Sequence, residues 1–354
     1  MKKTMVQESE SLRRVSTIVD VAALAKVSIG SVSRVLNQHE SVKKSTRLKV
    51  INAINQLDYK PNMAAQSIRG KMSRTITCIL KDVETPGFGR FVVAADKVFM
   101  EAGYALMLCN TEGDKSRERD LIALVSARRS DAILIAHSSE IDPELEKQIS
   151  EAKVPVVLFD RESPGWADAV VVDHRSATRI ATEKLLKLGH RRIALITGHP
   201  DLYPARSRVQ GYKEAHQKFD IFCDPSLCRQ GWFGADFAFE QTSLLASASN
   251  RPTAIIAGGI PILPGVLRAL RVLRLSIPND ISVIGANETD LTELHTPAIS
   301  VVSWDYAAMG KIAANLTLER LRNKTPSEPR RVVVPAEFLY RESISKPNQK
   351  NSLN

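Results

Sequence analysis

From Arg74 onward the chain keeps a rhythm that leaves few folds open to it. Short apolar runs alternate with helix-length stretches: Thr75 to Leu80, Ala105 to Cys109, Ala132 to Ala136, Val156 to Phe159, Ile193 to Thr197, Ala254 to Ala257 and Ile281 to Ile284. Continuously apolar runs of this length predict strands buried on both faces, and the spacers predict crossover helices, so the body reads as parallel α/β sheet. The pattern restarts once: Arg191-Arg192-Ile193-Ala194-Leu195-Ile196 echoes Arg74-Thr75-Ile76-Thr77-Cys78-Ile79. Two Rossmann-like lobes of similar build, with a ligand-sized cleft between them, are therefore expected.

The rest of the composition fits a protein of two or three domains. The chain has 354 residues, 44% of them hydrophobic and 25% charged, which excludes a disordered tail or a mini-protein. Four cysteines, at 78, 109, 223 and 228, are too few and too scattered for a disulfide framework and predict a reducing compartment. The N-terminus begins with Lys2 and Lys3 but meets Glu8 and Glu10 where a secretion signal would turn apolar. The longest apolar stretch, Ala254 to Leu267, is interrupted by Pro261, Pro264 and two adjacent glycines and falls short of the ~20 residues that span a bilayer. The expected location is cytoplasmic, with no membrane partner.

Charge separates the two ends. Residues 1 to 74 carry a net +9 and residues 75 to 354 a net +1, out of +10 overall. A strongly cationic front ahead of a nearly neutral body is the electrostatic footprint of a nucleic-acid-binding head, or else of a solvated basic extension.

The pattern inside the front decides between them. Thr17 with Asp20 three residues on is a helix start, and Val21, Leu24 and Ala25 then lay an apolar stripe along one face, with Ala22 and Ala23 allowing close packing. After a tight connection at Lys26-Val27, Ser28 starts a second helix. In it Val32, Val35 and Leu36 face inwards while Ile29, Gly30, Ser33, Arg34 and Asn37 face out. A third helix, Thr46 to Leu57, closes the core with Val50, Ile54 and Leu57, and Lys43, Lys44, Arg47 and Lys49 cluster near its start, where they suit phosphates. Two short helices joined by a turn of this length form a helix-turn-helix.

The run Thr17-Ile-Val-Asp-Val-Ala-Ala-Leu-Ala-Lys-Val-Ser28, with Val32-Ser-Arg-Val-Leu-Asn37 and Leu57-Asp-Tyr-Lys-Pro-Asn62, resembles the head of the lactose/galactose repressor family, without a gap from Thr17 to Gly70. The resemblance implies that the second helix lies in the DNA major groove, with Ile29, Gly30 and Arg34 at base edges. It also implies that Thr17, Ser28, Ser31, Ser33, Asn37 and Tyr59 lie at phosphates or nearby bases. The residue types agree: arginine pairs bidentately with guanine, and an apolar side chain meets a thymine methyl. One departure is Lys26, where relatives commonly carry glycine; a positive φ there would cost lysine about 1 kcal/mol.

Pro61 and Asn62 begin a segment that runs to Arg69 and ends at Gly70. A helix of barely two turns is marginal alone. By resemblance it is a hinge helix, paired in the minor groove, with Ile68 as the apolar wedge where relatives carry leucine, and with Asn62, Ala65, Gln66 and Ser67 beside it. A plain linker is the alternative.

The resemblance continues through the body, on Pro155-Val-Val-Leu-Phe-Asp160-Arg, Leu188-Gly-His-Arg-Arg-Ile-Ala and Ala205-Arg-Ser-Arg208-Val-Gln-Gly211-Tyr, and implies a periplasmic-binding-protein-like core holding a small effector. It assigns Asp160 and Arg208 to the effector from the two lobes, Phe233 as an aromatic wall, and Phe88 and Asn287 as further contacts. Arg206 is expected in a structural ion pair, and His190 and Arg191 at the turn into a strand. The family pattern fails at Gly258-Gly259, where relatives carry Asn-Asp, and at Ala286-Asn287-Glu288, where they carry a Phe-Asp-Asp-like run. With Arg208 kept and Asn287 in place of a carboxylate, an anionic effector, a sugar acid or other carboxylate, is expected over a neutral sugar. A pocket that binds nothing is the alternative.

Enzyme signatures are absent from the sequence. Gly87-Phe88-Gly89 is two-thirds of a dinucleotide fingerprint, but Val92 stands where the third glycine should and Asn110 ends the next strand where an acid should. There is no Walker loop, zincin helix or Gly-x-Ser-x-Gly elbow, and the seven histidines show no ligand spacing. No metal or cofactor is expected.

The expected organisation is an arm (1–15), a helix-turn-helix head (16–61), a hinge (62–74), an effector-binding and dimerisation core (75–341) and a flexible tail (342–354). The core divides into lobe 1, about 75–172 plus 305–331, and lobe 2, about 173–304 plus 332–341. The expected function is a nucleoid-associated transcriptional regulator, most often a repressor. It binds a palindromic operator as a homodimer and is switched by the effector through the lobes and the hinge. The other reading is an α/β small-molecule-binding protein or enzyme, a dehydrogenase or sugar-handling one, that does not bind DNA.

Overall fold

The computed structural model describes residues 16–36, 39, 41–59, 73–127, 130–323 and 328–348. The chain forms two compact units, Met1–Ser73 and Arg74–Asn354.

In the first unit, α1 (Ile18–Ala25), α2 (Ile29–Leu36) and α3 (Lys44–Gln56) follow the predicted three-helix order, with α3 starting two residues early. Thr17 caps α1 with a full capping box: its Oγ1 accepts from the Asp20 N–H at 3.4 Å, and Asp20 accepts from the Thr17 N–H at 2.7 Å. Lys26 then takes φ 53° and ψ 46°, the left-handed geometry that the sequence departure raised. Val21, Ala22, Ala25, Val32, Val35, Val50, Ala53 and Tyr59 make the core.

The second unit holds two six-stranded sheets. The first is built from β1 (Thr75–Leu80), β2 (Ala105–Asn110), β3 (Ala132–Ile135), β4 (Val156–Phe159), β5 (Asp168–Val172) and β11 (Arg331–Val334), in the order β11-β5-β4-β3-β1-β2, all parallel. The second contains β6 (Ile193–Thr197), β7 (Cys228–Gln230), β8 (Ala254–Ala257), β9 (Ser282–Ala286), β10 (Ser300–Ser303) and β12 (Glu337–Leu339), in the order β12-β10-β9-β8-β6-β7. Only β12 runs antiparallel to its neighbour.

Helices cover both sheets. Those of the first lobe are α4 (Phe88–Glu101), α5 (Lys115–Ala127) and α6 (Pro143–Ser150), with α12 (Tyr306–Arg322) packed against α4. The second lobe has α7 (His174–Leu188), α8 (Tyr203–Lys218), α9 (Ala235–Ser247), α10 (Leu263–Val272) and the short α11 (Asp290–Leu294). Gly211 lets α7 and α8 touch backbone to backbone, since a Cβ there would overlap the Arg175 carbonyl oxygen. The chain passes between lobes three times, from β5 to α7, from β10 to α12 and from β11 to β12.

Two expected boundaries move. Residues 332–334, assigned to the second lobe, pair with β5 through Val334↔Val172 and belong to the first. The tail expected to be flexible from 342 is docked as far as it is described: Ile344 is buried, the Ser343 hydroxyl donates to the Val283 carbonyl at 2.6 Å, and the Ser345 carbonyl meets His190 Nε2 at 2.8 Å. Among the described residues no helix is long and apolar enough to cross a membrane, and no cluster of three or more His, Cys, Asp or Glu could hold a metal ion.

Candidate functional site

Two surfaces gather the expected functional residues. On the head, α2 turns Val32 and Val35 into the core and leaves Ser28, Ile29, Gly30 and Arg34 exposed, with Ser31 and Ser33 at the edge and Thr17 exposed beside them. Ser28 caps α2, accepting from the Ser31 N–H at 3.2 Å. The Arg34 Nε donates to the Gly30 carbonyl at 3.2 Å, which lays the side chain back along the exposed face of the helix. Lys43, Lys44 and Lys49 are exposed, and Arg47 donates to the His39 carbonyl at 2.9 Å. Tyr59 differs from these in having its ring packed in the head core, where it closes the end of the three-helix packing. Asn37, Asn62, Ala65 and Ile68, with the expected hinge helix, lie outside the described residues.

In the body, a cavity of about 90 Å³ lies between the lobes, lined among others by Phe88, Asp160, Arg161, Arg208, Phe233, Trp304 and Tyr306. It adjoins an open cleft of about 800 Å³ that shares Lys81, Asp82, Phe233 and Ile260. Four of the five expected effector residues thus meet around one space. Phe88 is set at the start of α4 by Gly87, whose φ of 99° suits glycine and whose Cβ would overlap the Tyr306 ring. From there it makes edge contacts with Phe159 at 6.0 Å and Tyr306 at 5.8 Å. The Phe233 ring lies against Gly198 and Gly259, so Gly259, one of the two glycines found in place of the family's polar pair, makes room for the aromatic wall, while Gly258 packs against the Ile196 carbonyl and Thr197. Arg208 reaches from α8 over that ring, 5.7 Å from its centre.

Asn287, expected with the other four, lies apart from this cavity. It is 4% exposed and lines a different depression, and its side chain serves the β9–β10 connection. Its Nδ2 donates to the Trp304 carbonyl at 3.2 Å, while its Oδ1 accepts from the Glu288 N–H at 2.8 Å and the Ser303 hydroxyl at 3.1 Å.

The cavity's electrostatics come from residues at strand ends. Asp160 follows β4 at φ 51° and accepts a 2.8 Å bond from His174 Nε2. Burial alone would raise its carboxyl, but the hydrogen bond from His174 and the Arg208 and Arg161 guanidinia outweigh burial and hold it below the ordinary carboxylate range. Arg161, also buried, gives its donors to the carbonyls of His137, Asp160 and Ala136. Lys81 sits 4.4 Å over the Trp232 ring and is pushed down by burial and by Arg161. The Trp304 indole N–H is buried and finds no acceptor among the described residues.

Sequence reasoning missed His174, Trp304 and Tyr306, because each follows a strand, β5 or β10, whose charged or serine-bounded sequence does not read as an apolar run. The structural expectations for Arg206 and His190 fit: Arg206 pairs with Glu140 at 2.7 Å, and His190 Nδ1 meets the Thr253 hydroxyl at 2.8 Å.

Residues 17–62 match the family described as "Bacterial regulatory proteins, lacI family", and residues 182–344 match "Periplasmic binding protein-like domain". Among curated proteins, the chain is 31% identical over 335 residues to the HTH-type transcriptional repressor PurR of Vibrio vulnificus (strain CMCP6), covering 94% of this chain and all of that one. Among solved structures, it is similar to the lac repressor dimer bound to operator and the anti-inducer ONPF (TM-score 0.81, 25% identity, 94% of this chain and 100% of that chain). It is also similar to the transcriptional regulator CelR–cellobiose complex (TM-score 0.71, 28% identity, 93% of this chain and 99% of that chain).

Proposed function

From membership of the bacterial lacI family of regulatory proteins, to which this chain belongs, we infer that the head reads DNA sequence, the body senses a small molecule, and the chain acts as a transcriptional repressor. The observation that carries this is the exposed face of α2, where Ile29 and Arg34 stand clear of the head core on a cationic module. An arginine so placed pairs with guanine and an isoleucine with a thymine methyl, while Ser28 and the lysines around α3 serve phosphates.

The working form in this reading is a homodimer on a palindromic operator, each head on one half-site. Two observations support it: the similar lac repressor structure is a dimer on its operator, and Val93, Met100, Met107 and Leu108 leave α4 and β2 with exposed apolar side chains that a second copy would cover. The body senses its metabolite without transforming it. Binding changes the angle between lobes and so the spacing of the two hinges.

The effector in this reading is a small carboxylate such as a sugar acid, although the similar CelR and lac repressor structures hold cellobiose and ONPF. Asn287 no longer supports it; the cations do. Lys81, Arg161 and Arg208 line the cavity against Asp82 and Asp160, and Asp160 is engaged by His174. Three cations thus face two carboxylates, one of them already bonded to His174, and a lining with positive charge in excess favours an anion.

Selection of bound duplexes from a random pool, with and without candidate acids, tests the whole reading. A palindromic consensus, binding that weakens steeply with salt, and a shift on adding an acid are expected. Absence of any site preference, with turnover of a substrate, would overturn it. Calorimetry showing tight binding of a neutral sugar and none of any acid would remove the effector assignment alone.

A further inference from the structure

His174 is buried between the two oppositely charged side chains of the cavity. Its Nε2 lies 2.8 Å from Asp160 Oδ1, and its Nδ1 lies 3.3 Å from Arg208 Nη2. Its ring packs edge-on against Trp304 at 5.2 Å and tilted beside Tyr203 at 6.1 Å. It is the first residue of α7, directly after the first passage of the chain between lobes.

The hydrogen-bond inventory leaves one protonation pattern. A carboxylate only accepts and a guanidinium only donates. The ring must therefore give a proton from Nε2 to Asp160 and receive one from Arg208 on Nδ1, as a neutral imidazole. The other tautomer would set two donors against each other at Arg208 and two acceptors against each other at Asp160. An imidazolium would face the Arg208 donor with an N–H.

We propose that His174 is a positioning residue for the effector. As a neutral spacer it keeps Asp160 and Arg208 from closing into a direct ion pair, so that Arg208 keeps donors for a carboxylate and Asp160 keeps an acceptor for a neighbouring hydroxyl. Among the described residues Arg208 makes one hydrogen bond to the protein, the one to His174, and otherwise lies over the Phe233 face. Arg161, by contrast, is committed to three carbonyls. The spacer thus turns Arg208 into the cavity's available guanidinium. The ligand that matches a guanidinium beside a carboxylate is a hydroxy acid, a class that rests on the carboxylate reading given above.

The test has two arms on the full-length protein. In the first, selective ¹⁵N-histidine labelling at neutral pH reads the His174 tautomer directly, without any ligand. The expected spectrum shows a protonated Nε2 and an unprotonated Nδ1, and the Nδ1 signal moves in Arg208→Met. A protonated Nδ1, or a Nδ1 signal unchanged in Arg208→Met, overturns the spacer. In the second arm, calorimetry compares sodium gluconate with glucose for the wild type, His174→Phe and His174→Gln.

His174→Phe keeps the ring's bulk without its nitrogens and is expected to weaken gluconate binding about tenfold or more, because a charge-assisted donor is lost to Asp160. His174→Gln supplies a donor and an acceptor and is expected to recover most of that loss, and glucose is expected to change little in either. Gluconate binding unchanged in His174→Phe overturns the proposal. Should the wild type bind glucose and not gluconate, the carboxylate reading falls, while the tautomer still decides the role of His174. The tautomer arm also decides it if His174→Phe fails to fold.

Discussion

Glu140, in the loop after β3, accepts a 2.7 Å hydrogen bond from Arg206 Nη2 on α8, so a carboxylate of the first lobe holds a helix of the second. Glu140 also accepts the Tyr203 N–H at 2.6 Å, and the Tyr203 hydroxyl donates to the Val172 carbonyl at 2.8 Å. The start of α8, which carries Arg208, is thereby seated on the opposite lobe beside the cavity. Glu140 is 7% exposed and Arg206 44%, so their coupling should exceed that of a surface pair but fall short of a fully buried one. A double-mutant cycle of Glu140→Ala and Arg206→Ala in urea unfolding is expected to give about 1 kcal/mol. A coupling near zero would mean the pair does not join the lobes.

Asp168, fully buried at the start of β5, ties that strand to the end of α12 and to the residue that precedes β11. It accepts from Arg320 Nε at 2.8 Å and Nη2 at 2.7 Å, and from the Arg330 N–H at 2.7 Å. Burial alone would raise this carboxyl, but the Arg320 and Arg330 donors outweigh it and hold the group below its ordinary value of 3.8. The folded state therefore binds this proton less readily than the unfolded chain. The stability it contributes is present above the ordinary carboxylate value and is lost as the pH falls below it. Asp168→Asn is expected to cost about 3 kcal/mol at neutral pH. Its stability should also fall less steeply than the wild type's on acidification below about pH 4. Parallel curves for the two proteins would contradict the assignment.

Much of this was legible in the sequence, for identifiable reasons. Thr17 and Asp20 act over three residues, so the capping box needs no tertiary context. The strands from Thr75, Val156, Ile193 and Ala254 are continuously apolar because both faces are covered. Strands β5 and β10 were not legible: Asp168-Ala-Val-Val-Val172 starts on a charge that only Arg320 and Arg330 explain, and Ser300-Val-Val-Ser303 is half serine. Missing them hid His174 and Trp304, which sit just beyond their ends. Asn287 misled because local sequence says that a polar residue follows β9, whereas only the packing shows that its amide serves the backbone. Gly259 is a departure from the family pattern whose reason lies in packing, since the Phe233 ring fills the space a side chain would need.

Two glycines should respond differently to one added methyl. At Gly211 a Cβ would overlap the Arg175 carbonyl on α7, a backbone atom that cannot swing aside. Gly211→Ala is expected to destabilise the body by about 2 kcal/mol in chemical denaturation. At Gly259 the Cβ would overlap the end of the Phe233 ring, a side chain free to rotate. Gly259→Ala is therefore expected to cost less stability and to weaken gluconate binding in calorimetry by moving the aromatic wall. Equal destabilisation by both would show that Phe233 is as immobile as a helix backbone.

Arg34 and Lys44 should separate base reading from phosphate contact. Arg34→Ala is expected to lose about 1–3 kcal/mol on the selected operator and to relax preference at one base pair of each half-site. Lys44→Ala should weaken binding to all duplexes alike and lower the salt slope by about one per head. Fluorescence anisotropy on operator and scrambled duplex, at several salt concentrations, reads both. Arg34→Ala weakening the two duplexes equally would remove Arg34 from base reading.

Lys26 offers the cleanest separation of fold from function. It occupies the turn between α1 and α2 at φ 53°, where a β-carbon crowds the backbone at a cost of about 1–2 kcal/mol. Its side chain is exposed, and its N–H closes the end of α1 on the Ala23 carbonyl at 3.2 Å, a bond that glycine keeps. Glycine removes the crowding but carries more backbone entropy in the unfolded chain, which offsets part of the gain. Lys26→Gly is therefore expected to stabilise the head by about 0.5–1 kcal/mol, read as a higher melting temperature of the head's own transition. The same substitution removes one positive charge from the connection that precedes α2. If Lys26 touches phosphate, operator affinity falls and the salt slope drops while stability rises; if it only makes the turn, affinity stays level or improves as the head stiffens. A head that is destabilised by glycine would show that the left-handed turn is held by contacts of the lysine side chain rather than tolerated in spite of it.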